Sequence, residues 1–524
     1  MAYTVAKGDT LIGVRDRLLV PGASWVVLQR INRVRDPRRL QPGSTLQLPL
    51  SLLREKDVSA AVVTVHGQVL VQRRGASTPL TLSNGESLLA GDLIITGAQS
   101  SAGLSFEDGA QVLLRPDSRL LIERLTRVPP LGPTRTELQL EAGSADTRVP
   151  VPASGAARSR LQMRTPVVNL GVRGTEFRTL ATGERAQTEV LQGRVAAARP
   201  AGAGPGVVVD AGFGVVATAR GVGLPRALLP APDLAGAPAL IERLPLRLPW
   251  QPLAGATGYR AQVFSTEGSV LRLEGLFPTP QAQWADDLPD GQYELRVRAA
   301  DAEGLEGRDA AWPFRLKARP EPPFITEPRA GTQVTSESVR FQWTRSAAST
   351  RYALQVSDSP SFEPLRLNRA DLTQTEVDLL LPIGTHHWRV ASVRGDDDRG
   401  PWSDAQTVTR VPPPPPIPPA PPAAALPQTT SDGLLLVWPR VPAAGARYAL
   451  QVSRDAGFQT LLADEITDQP QWLLRSPEPG LYFVRVRTVA PDGLKGPFGA
   501  TQQLDVPRSA LWWLLVPAVL LLLL

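Results

Sequence analysis

The side chains that most often carry chemistry are scarce in this chain, and their spacing builds no reactive site. The 524 residues include no cysteine and three histidines. The lack of cysteine excludes disulfides, thiolate metal sites and cysteine nucleophiles. His386 and His387 are adjacent in a predicted strand, so their side chains should point to opposite faces. We therefore expect neither a histidine metal site nor a catalytic triad.

Acidic pairs and glycine runs give no stronger signal for catalysis. Asp286-Asp287 and Asp396-Asp397-Asp398 fall in predicted turns. The run Gly202-x-Gly204-x-Gly206 lacks the strand-then-helix context of a phosphate loop, and no Gly-x-Ser-x-Gly elbow occurs. We predict a protein that is not an enzyme and that uses no cofactor and no metal.

Length and charge limit the remaining possibilities. The length of 524 residues predicts about three to five domains. The net charge of +6 comes mostly from arginines, which alternate with acidic residues along predicted strands. Because no basic stripe emerges, nucleic acid is not an expected partner.

The first fifty residues predict a small unit of order β-α-α-β. Tyr3 to Val5 is a short β-rich run, and Asp9-Thr10 is a helix N-cap before Leu11, Val14 and Leu18. Ser24 is a second cap before an apolar face ending near Asn32. Pro42-Gly43 then turns the chain into a last strand, Thr45 to Leu48.

These residues resemble the LysM domain, which opens with a Tyr-Thr-Val strand and Gly-Asp-Thr-Leu and closes with a Pro-Gly-x-x-Leu strand. The resemblance covers residues 1–50 and implies a glycan ligand built on N-acetylglucosamine, such as peptidoglycan or chitin. It also implies a groove between two loops, formed by Gly8, Asp9, Thr10, Leu11 and Ile12 on one side and by Asp36, Pro37, Arg39 and Leu40 on the other. The alternative for Asp9 and Thr10 is a purely structural role as helix caps.

Residues 62–220 predict an all-β unit of short alternating strands. Asn84-Gly85 and Asp108-Gly109 are its clearest predicted hairpin turns. A second diagnostic segment, residues 165–177, begins with Thr165-Pro166 and continues with Val172-Arg173-Gly174-Thr175-Glu176-Phe177.

This segment resembles the FecR domain, whose pattern is Thr-Pro followed by Val-Arg-Gly-Thr-x-Phe. The family domain is a β-rich, non-catalytic module of the bacterial periplasm, and its best-known members relay a signal to a sigma factor. The residues that match the pattern are Thr165, Pro166, Val172, Arg173, Gly174, Thr175 and Phe177. We interpret them as a structural network rather than a ligand site. A LysM-like unit replaces the anti-sigma segment of the signalling members, which argues against sigma-factor regulation.

Three similar units follow, with a period of about 95 residues in the printed sequence. Each has a tryptophan, then a Tyr-x-Ala-or-Leu-Gln-Val strand, then a second aromatic strand, as in Trp343, Tyr352 and Trp388. The units resemble fibronectin type III domains, a class of Ig-like β-sandwich, at residues 240–318, 322–411 and 429–507. Their aromatic residues are interpreted as core anchors rather than a sugar groove.

Two further segments complete the predicted organisation. Residues 412–428 form a proline-rich linker, expected to hold the last sandwich away by extension as polyproline. Residues 510–524 are apolar and contain Trp512 and Trp513, which predicts a C-terminal hydrophobic helix that anchors the chain in a membrane. No signal peptide precedes Tyr3, so we expect a start codon upstream of the printed one.

The sequence therefore predicts a multidomain, mainly β protein of the bacterial cell envelope, periplasmic and membrane-anchored. Its expected role is to bind peptidoglycan and to tether or scaffold, with an unidentified envelope protein as a further partner. Two alternatives stay open: a FecR-type signal relay, and a surface adhesin that uses the sandwiches.

Overall fold

The computed structural model describes residues 2–129, 134–151, 160–172, 174–200, 206–395, 397–418 and 427–507. The chain is multidomain and mainly β, as predicted, and it divides into two compact units at Lys317 and Ala318. The first unit contains the head, the β module and the first sandwich. The second contains the other two sandwiches.

The head has the predicted β-α-α-β order. Its elements are Ala2–Thr4, Leu11–Leu18, Trp25–Asn32 and Thr45–Gln47, followed by a short 3₁₀ turn at Leu50–Leu52. The two strands pair antiparallel. Both predicted caps are confirmed, because Thr10 Oγ1 accepts from the Gly13 amide at 3.0 Å and Ser24 Oγ from the Val26 amide at 3.2 Å. Val128 of the β module joins the apolar core of this head.

The β module consists of two sheets that enclose one large apolar core. The first sheet contains the strands Lys56–Asp57, Val69–Gln72, Leu80–Thr81, Leu93–Thr96, Arg119–Arg127, Arg160–Arg164, Asn169–Val172, Arg194–Ala198 and Val207–Asp210. The second contains the strands Ala60–His66, Ser87–Leu88, Ser101–Ser105, Gln111–Leu114, Glu176–Thr182, Arg185–Gln192, Phe213–Thr218, Gly221–Val222 and Arg226–Ala227. The β structure therefore begins before residue 62 and continues past residue 220.

One long strand, Thr134–Arg148, belongs to both sheets. Its first part pairs with Arg119–Arg127, and its last part pairs with Glu176–Thr182. The change of sheet occurs at Gly143, whose φ is +86° and where an added Cβ would lie 2.5 Å from the Ser118 Cα. Only glycine fits this bend without strain, so Gly143 joins the two sheets.

The two predicted hairpin turns have different outcomes. Asp108-Gly109 joins the strands Ser101–Ser105 and Gln111–Leu114, which pair antiparallel as expected. Asn84-Gly85 does turn the chain, with Gly85 at φ +80°. The strand before it pairs with Val69–Gln72 and the strand after it pairs with Ala60–His66. This turn therefore passes the chain from one sheet to the other.

The first sandwich follows directly in the same unit. Its larger sheet has the order Leu240–Ile241, Ala310–Leu316, Gly291–Ala300, Gly258–Ser265 and Leu271–Phe277, and its smaller sheet pairs Leu246–Pro249 with Gln281–Trp284.

The second unit contains two sandwiches of similar plan. The second sandwich has the strands Ile325–Glu327, Thr332–Val334, Ser338–Trp343, Arg351–Ser357, Leu365–Leu372, Glu376–Leu380, Gly384–Arg394, Asp398–Trp402 and Gln406–Arg410. The third has the strands Gln428–Thr430, Gly433–Val437, Arg447–Ser453, Leu461–Thr467, Gln471–Arg475, Gly480–Val489, Lys495–Phe498 and Gln502–Val506.

The aromatic residues that define the repeat are buried. The rings of Trp250 and Tyr259, Trp343 and Tyr352, and Trp438 and Tyr448 meet edge to face with centroids 5.5, 5.6 and 5.7 Å apart. The near-identical distances show one packing solution used three times, with the aromatic side chains in the cores as expected.

The proline-rich linker differs from its prediction over the described residues 412–418. Thr488 Oγ1 of the third sandwich donates to the Pro415 carbonyl at 2.7 Å, and Ile417 packs against the core of that sandwich. This part is a docked segment rather than a free spacer, because proline carbonyls and an apolar side chain find partners on the sandwich. Residues 419–426 lie outside the described residues.

The predicted C-terminal anchor, residues 510–524, also lies outside the described residues. In the part of the chain that the structure describes, no helix has the length and apolar character needed to cross a membrane.

Candidate functional site

The two loops expected to form the groove of the head are held together by a backbone hydrogen bond. The Leu11 amide donates to the Pro37 carbonyl at 2.9 Å. The first loop turns at Gly8, whose φ of +92° favours glycine. The second turns around Asp36, whose carboxylate accepts from the Arg38 amide at 2.8 Å. The structure thus brings both predicted loops side by side.

Asp9 supports the first loop from inside the head. The side chain is buried, and its carboxylate accepts from the Tyr3 hydroxyl at 2.5 Å, from the Ala6 amide at 2.8 Å and from Arg17. Burial alone would raise the pKa of Asp9, but these three donors lower it below its usual range. The ionised carboxylate therefore anchors the loop to the first strand and the first helix.

The predicted groove residues divide by exposure. Asp9 and Leu11 are buried, and Thr10, Pro37 and Leu40 are half-buried. Gly8, Ile12, Asp36 and Arg39 are exposed. The surface available to a ligand therefore combines backbone groups, one aliphatic side chain and two polar side chains, which suits a largely neutral, hydroxyl-rich ligand.

The described FecR-type residues lie within the β module, in its strands or in the turns beside them. Thr165 is buried and its Oγ1 accepts from the Val168 amide at 3.0 Å, which closes a tight turn. Thr175 is buried, and its Oγ1 donates to the Arg194 carbonyl at 2.9 Å. Val172 and Phe177 are core residues, whereas Pro166 is exposed.

Gly174 has a φ of +60°, and an added Cβ there would meet Val151 Cγ2 at 3.1 Å. Arg173 lies outside the described residues. The described members of the motif thus hold a turn and two strand ends, and our interpretation of them as structural stays a prediction.

A second polar region, which sequence reasoning missed, lies where the β module meets the first sandwich. Arg115 follows a strand of the module and makes a bidentate contact with Glu274 of the sandwich, with Nη2 and Oε1 2.6 Å apart. Arg178 donates to the Gly307 carbonyl at 2.9 Å and to Asp309 at 3.2 Å. Both arginines are buried.

The sandwich contributes its own charges to this interface. Arg298 donates to Glu306 at 2.5 Å, to Gln262 at 2.9 Å and to Asp309 at 3.1 Å. Burial would lower the pKa of Arg298, but Glu306 and Asp309 raise it. Burial would likewise raise the pKa of Glu306, but Arg298 and Arg115 hold it well below its usual range. These groups are therefore ionised and mutually dependent.

Glu189 of the module is the exception within this network. Burial and the neighbouring Glu306 carboxylate raise the pKa of Glu189 to about 7. In the described network, the Glu189 carboxylate accepts one hydrogen bond, from the Glu306 amide at 3.3 Å. Near neutral pH this carboxyl therefore changes charge inside the interface.

The sequence contained one usable signal for this interface. Arg178 and Glu189 lie opposite each other on neighbouring strands, as do Arg260 and Arg298. Charged residues at alternate positions of a strand are typical of a solvated face. Since a sheet face can be covered by another module, the same alternation also fits a buried polar interface.

His386 has structural partners on both ring nitrogens. In the second sandwich His386 Nε2 donates to the Pro382 carbonyl at 2.9 Å, and Nδ1 lies 2.7 Å from Asp358. Tyr293 and Tyr482 make the matching contact in the other sandwiches, to Pro289 and Glu478. Within the described residues no group of three or more His, Cys, Asp or Glu side chains could hold a metal ion.

Comparison with known families supports the two resemblances. Residues 3–49 match the model of the LysM domain, and residues 92–196 match the model of the FecR protein family. The chain therefore carries a LysM domain in its head and a FecR domain in its β module.

Solved structures give weaker likenesses. Two crystal structures of a candidate anti-sigma factor from Parabacteroides distasonis ATCC 8503 are 16% identical, with a TM-score of 0.21. The likeness covers 26% of this chain and 59% of that protein, so this chain spans less than two thirds of its length. A crystal structure of chicken CNTN1 FN1-FN3 domains is 15% identical, with a TM-score of 0.25, and covers 50% of this chain and 94% of that one.

Proposed function

We propose that this chain is a non-catalytic cell-envelope protein that binds peptidoglycan through its LysM head and scaffolds through its β module and sandwiches. LysM domains generally bind N-acetylglucosamine glycans such as peptidoglycan. LysM and FecR domains are typical of envelope proteins. The observation that carries the proposal is the pair of joined loops, because the Leu11–Pro37 hydrogen bond links the two loops that carry the exposed residues Gly8, Ile12 and Arg39.

The geometry suggests which residues contact the glycan and which only support it. Asp9 and Leu11 are buried, so substitution of either would test folding rather than binding. Ile12 is 39% exposed and offers an aliphatic surface for the apolar face of a sugar ring. Arg39 and Asp36 are exposed and offer a donor and an acceptor for sugar hydroxyl and acetamido groups.

Sedimentation of the full chain with insoluble peptidoglycan tests this proposal. We expect wild-type protein in the pellet and its release by soluble N-acetylglucosamine oligomers. Ile12→Asp should weaken binding by at least about tenfold, because a charge replaces the apolar contact.

Val27→Asp is the matched control. Val27 is 38% exposed on the second helix of the same head and belongs to neither loop. It introduces the same charge at a similar exposure and should leave sedimentation unchanged. Wild-type protein that stays in the supernatant, or equal loss in both variants, would contradict glycan binding at these loops.

A FecR-type signal relay is the second candidate, and the match of residues 92–196 favours it. If the chain relays a signal, the transcription of some genes must depend both on this protein and on one sigma factor. Transcript profiling of cells with and without the protein would separate the candidates. An unchanged profile together with peptidoglycan binding favours scaffolding.

A further inference from the structure

The positive charge of this chain is concentrated in its head. Residues 1–50 contain eight lysine and arginine residues against three aspartates, a net charge of +5, whereas all 524 residues together carry +6. The rest of the chain is therefore nearly neutral. Four of the arginines lie within residues 33–39, which we call the arginine segment: Arg33, Arg35, Arg38 and Arg39. A charge excess confined to one small domain indicates an anionic partner for that domain.

The four side chains of the arginine segment have no carboxylate partner in the part of the head that the structure describes. All four are exposed. By contrast, Arg17 of the same head forms an ion pair with Asp9. Asp36 is the one acidic residue within the segment, and its carboxylate accepts from the Arg38 amide at 2.8 Å. The segment therefore presents four guanidinium groups and one carboxylate to solvent.

Backbone hydrogen bonds hold the arginine segment in a fixed shape. At its start, Arg33 ends the second helix with a φ of +50°. The Gln29 carbonyl accepts from the Val34 amide at 3.1 Å, and the Gln29 side chain donates to the Val34 carbonyl at 3.1 Å. Further along, the Pro37 carbonyl accepts from Leu11 of the first helix. A ligand that binds a segment already fixed in this way loses less free energy to ordering.

Arg39 connects the arginine segment to the glycan loops of the head, because it belongs to the second of those loops. Six residues of chain span at most about 20 Å, so Arg33 lies within that distance of Arg39. The loops themselves suit a largely neutral sugar and leave the arginines unused. A glycan that is seated on the loops and carries anionic branches would reach both surfaces.

We propose that the head binds a carboxylate-bearing glycan, with the two loops on the sugar and the arginine segment on the free carboxylates of peptide branches. Guanidinium groups bind carboxylates through two parallel N–H···O hydrogen bonds. Peptidoglycan carries such branches and chitin does not, so the segment selects peptidoglycan among N-acetylglucosamine glycans. This inference rests on the proposed function, because it specifies the charge of the same ligand.

A matched pair of ligands tests the proposal by sedimentation of the full chain. The first is insoluble peptidoglycan freed of phosphate-bearing polymers, and the second is the same material with its carboxylates converted to carboxamides by carbodiimide and ammonia. We expect the wild type to bind the first roughly tenfold more tightly, the combined effect of about three exposed ion pairs. The difference should vanish at about 1 M salt, where the screening length is about 3 Å.

The triple variant Arg33→Gln, Arg35→Gln and Arg38→Gln removes three cations and leaves every predicted glycan contact in place. It should bind untreated peptidoglycan as weakly as the wild type binds the amidated material. Its binding to the amidated material should equal that of the wild type, which also shows that the head of the variant is folded.

The triple variant Arg247→Gln, Arg440→Gln and Arg475→Gln is the matched control. These three arginines are exposed on the first and third sandwiches and form no ion pair among the described residues. The control loses the same net charge and should keep the tenfold preference. Equal loss in both triple variants would show that net charge alone governs binding, and would overturn the proposal.

The remaining outcomes separate this inference from the proposed function. Equal binding of both ligands by the wild type would overturn the inference and leave glycan binding intact. Binding of neither ligand would contradict both. Vesicles of equal parts phosphatidylglycerol and phosphatidylcholine are the last probe, and we expect far weaker binding to them. Vesicle binding as tight as peptidoglycan binding, and lost in the arginine-segment variant, would assign the segment to a lipid surface instead.

Discussion

The first and third sandwiches contain the same strand pattern with opposite surroundings. In the first, Gln262 lies opposite Arg296, and Arg298 follows two residues later; in the third, Gln451 lies opposite Arg485, and Arg487 follows two residues later. Arg298 is buried against Glu306 and Asp309. Arg487 stacks on Phe498, with its guanidinium carbon 4.3 Å from the ring centroid.

The turn after each of these strands explains much of the difference. It reads Gly304-Leu305-Glu306-Gly307 in the first sandwich and Gly493-Leu494-Lys495-Gly496 in the third. Its backbone is held alike, by Asp301 N to Leu305 O at 3.1 Å and Ala490 N to Leu494 O at 2.8 Å. Glu306 is buried among arginines, whereas Lys495 is exposed. The two turns therefore share a backbone geometry but carry opposite charges at the same position. The turn with Glu306 accompanies an ionic interface, and the turn with Lys495 accompanies aromatic stacking.

Reversing that charge should have the largest effect. Glu306→Lys places a cation beside Arg115, Arg260 and Arg298, and should lower the opening free energy of the strand Gly291–Ala300 by at least about 3–5 kcal/mol. Hydrogen exchange measured by mass spectrometry reports this value strand by strand.

Lys495→Glu is the reciprocal control in the third sandwich. Because Lys495 is exposed, the strand Gly480–Val489 should change by no more than about 0.5 kcal/mol. Similar losses in both sandwiches would show that the turn itself, rather than its buried charge, sets stability.

Removing the ionisable carboxyl of Glu189 should have the next largest effect, and it depends on pH. The folded pKa of about 7 lies above the usual value, so the contribution of Glu189 to stability is fully present below about pH 4 and is lost as pH rises through 7. Glu189→Gln mimics the protonated form, and it should stabilise the interface by about 2–3 kcal/mol at pH 8 and by little at pH 4.

Thermal unfolding of the first unit at pH 4, 6 and 8 measures this difference. The strands of the third sandwich serve as an internal reference, since they belong to the other compact unit. A gain at pH 4 as large as that at pH 8 would contradict a raised pKa.

Neutralising Glu274, which lies on the strand Leu271–Phe277 and accepts from Arg115, should have a smaller effect than removing the carboxyl of Glu189. Glu274→Gln loses half of the bidentate contact with Arg115 and brings an amide donor near Gln262, with a cost of about 1.5–3 kcal/mol. In the third sandwich Asp464 lies opposite Gln451 on the equivalent strand and is exposed. Asp464→Asn should cost less than about 0.5 kcal/mol, and equal costs by urea titration would argue against a desolvated contact.

Loss of the stacking of Arg487 on Phe498 in the third sandwich should have the smallest effect on stability. Arg487→Met keeps much of the aliphatic contact with Phe498 and loses the cation–π attraction, with a cost of about 0.5–1 kcal/mol. Protection of the strand Gly480–Val489 measures it. A loss as large as that from Glu306→Lys would show that Arg487 belongs to a buried network after all.

Local sequence signals predicted local structure well. The caps Thr10 and Ser24, the β-α-α-β order of the head and the three Trp–Tyr pairs all rest on neighbours in sequence or on a repeated pattern, and each is present. No local signal predicts that the 15-residue strand Thr134–Arg148 changes sheet at Gly143. The first half of this strand pairs in parallel with Arg160–Arg164. The periodicity of one segment does not report which other segment pairs with it.

The candidate glycan site was predicted in position but not in detail. The motif placed the two loops, whereas the structure shows that Asp9 and Leu11 are buried and that Ile12 and Arg39 are exposed. The charged interface was not predicted, because alternation in a strand identifies a polar face without identifying what covers it.

By itself the sequence determined the modules of this protein: the LysM and FecR motifs, the threefold sandwich repeat, and the absence of cysteine chemistry. These follow from residue types at fixed spacing, which act through short-range caps, turns and side-chain alternation. The tertiary structure alone decided that the first sandwich packs on the β module, that Arg115, Arg178 and Arg298 are buried there, and that Pro415 is docked on the third sandwich. The physical reason is that burial and the pKa of a charged side chain depend on partners that only the fold brings together, as Glu274 is brought to Arg115 from 159 residues away. Local pattern has no influence at such a distance.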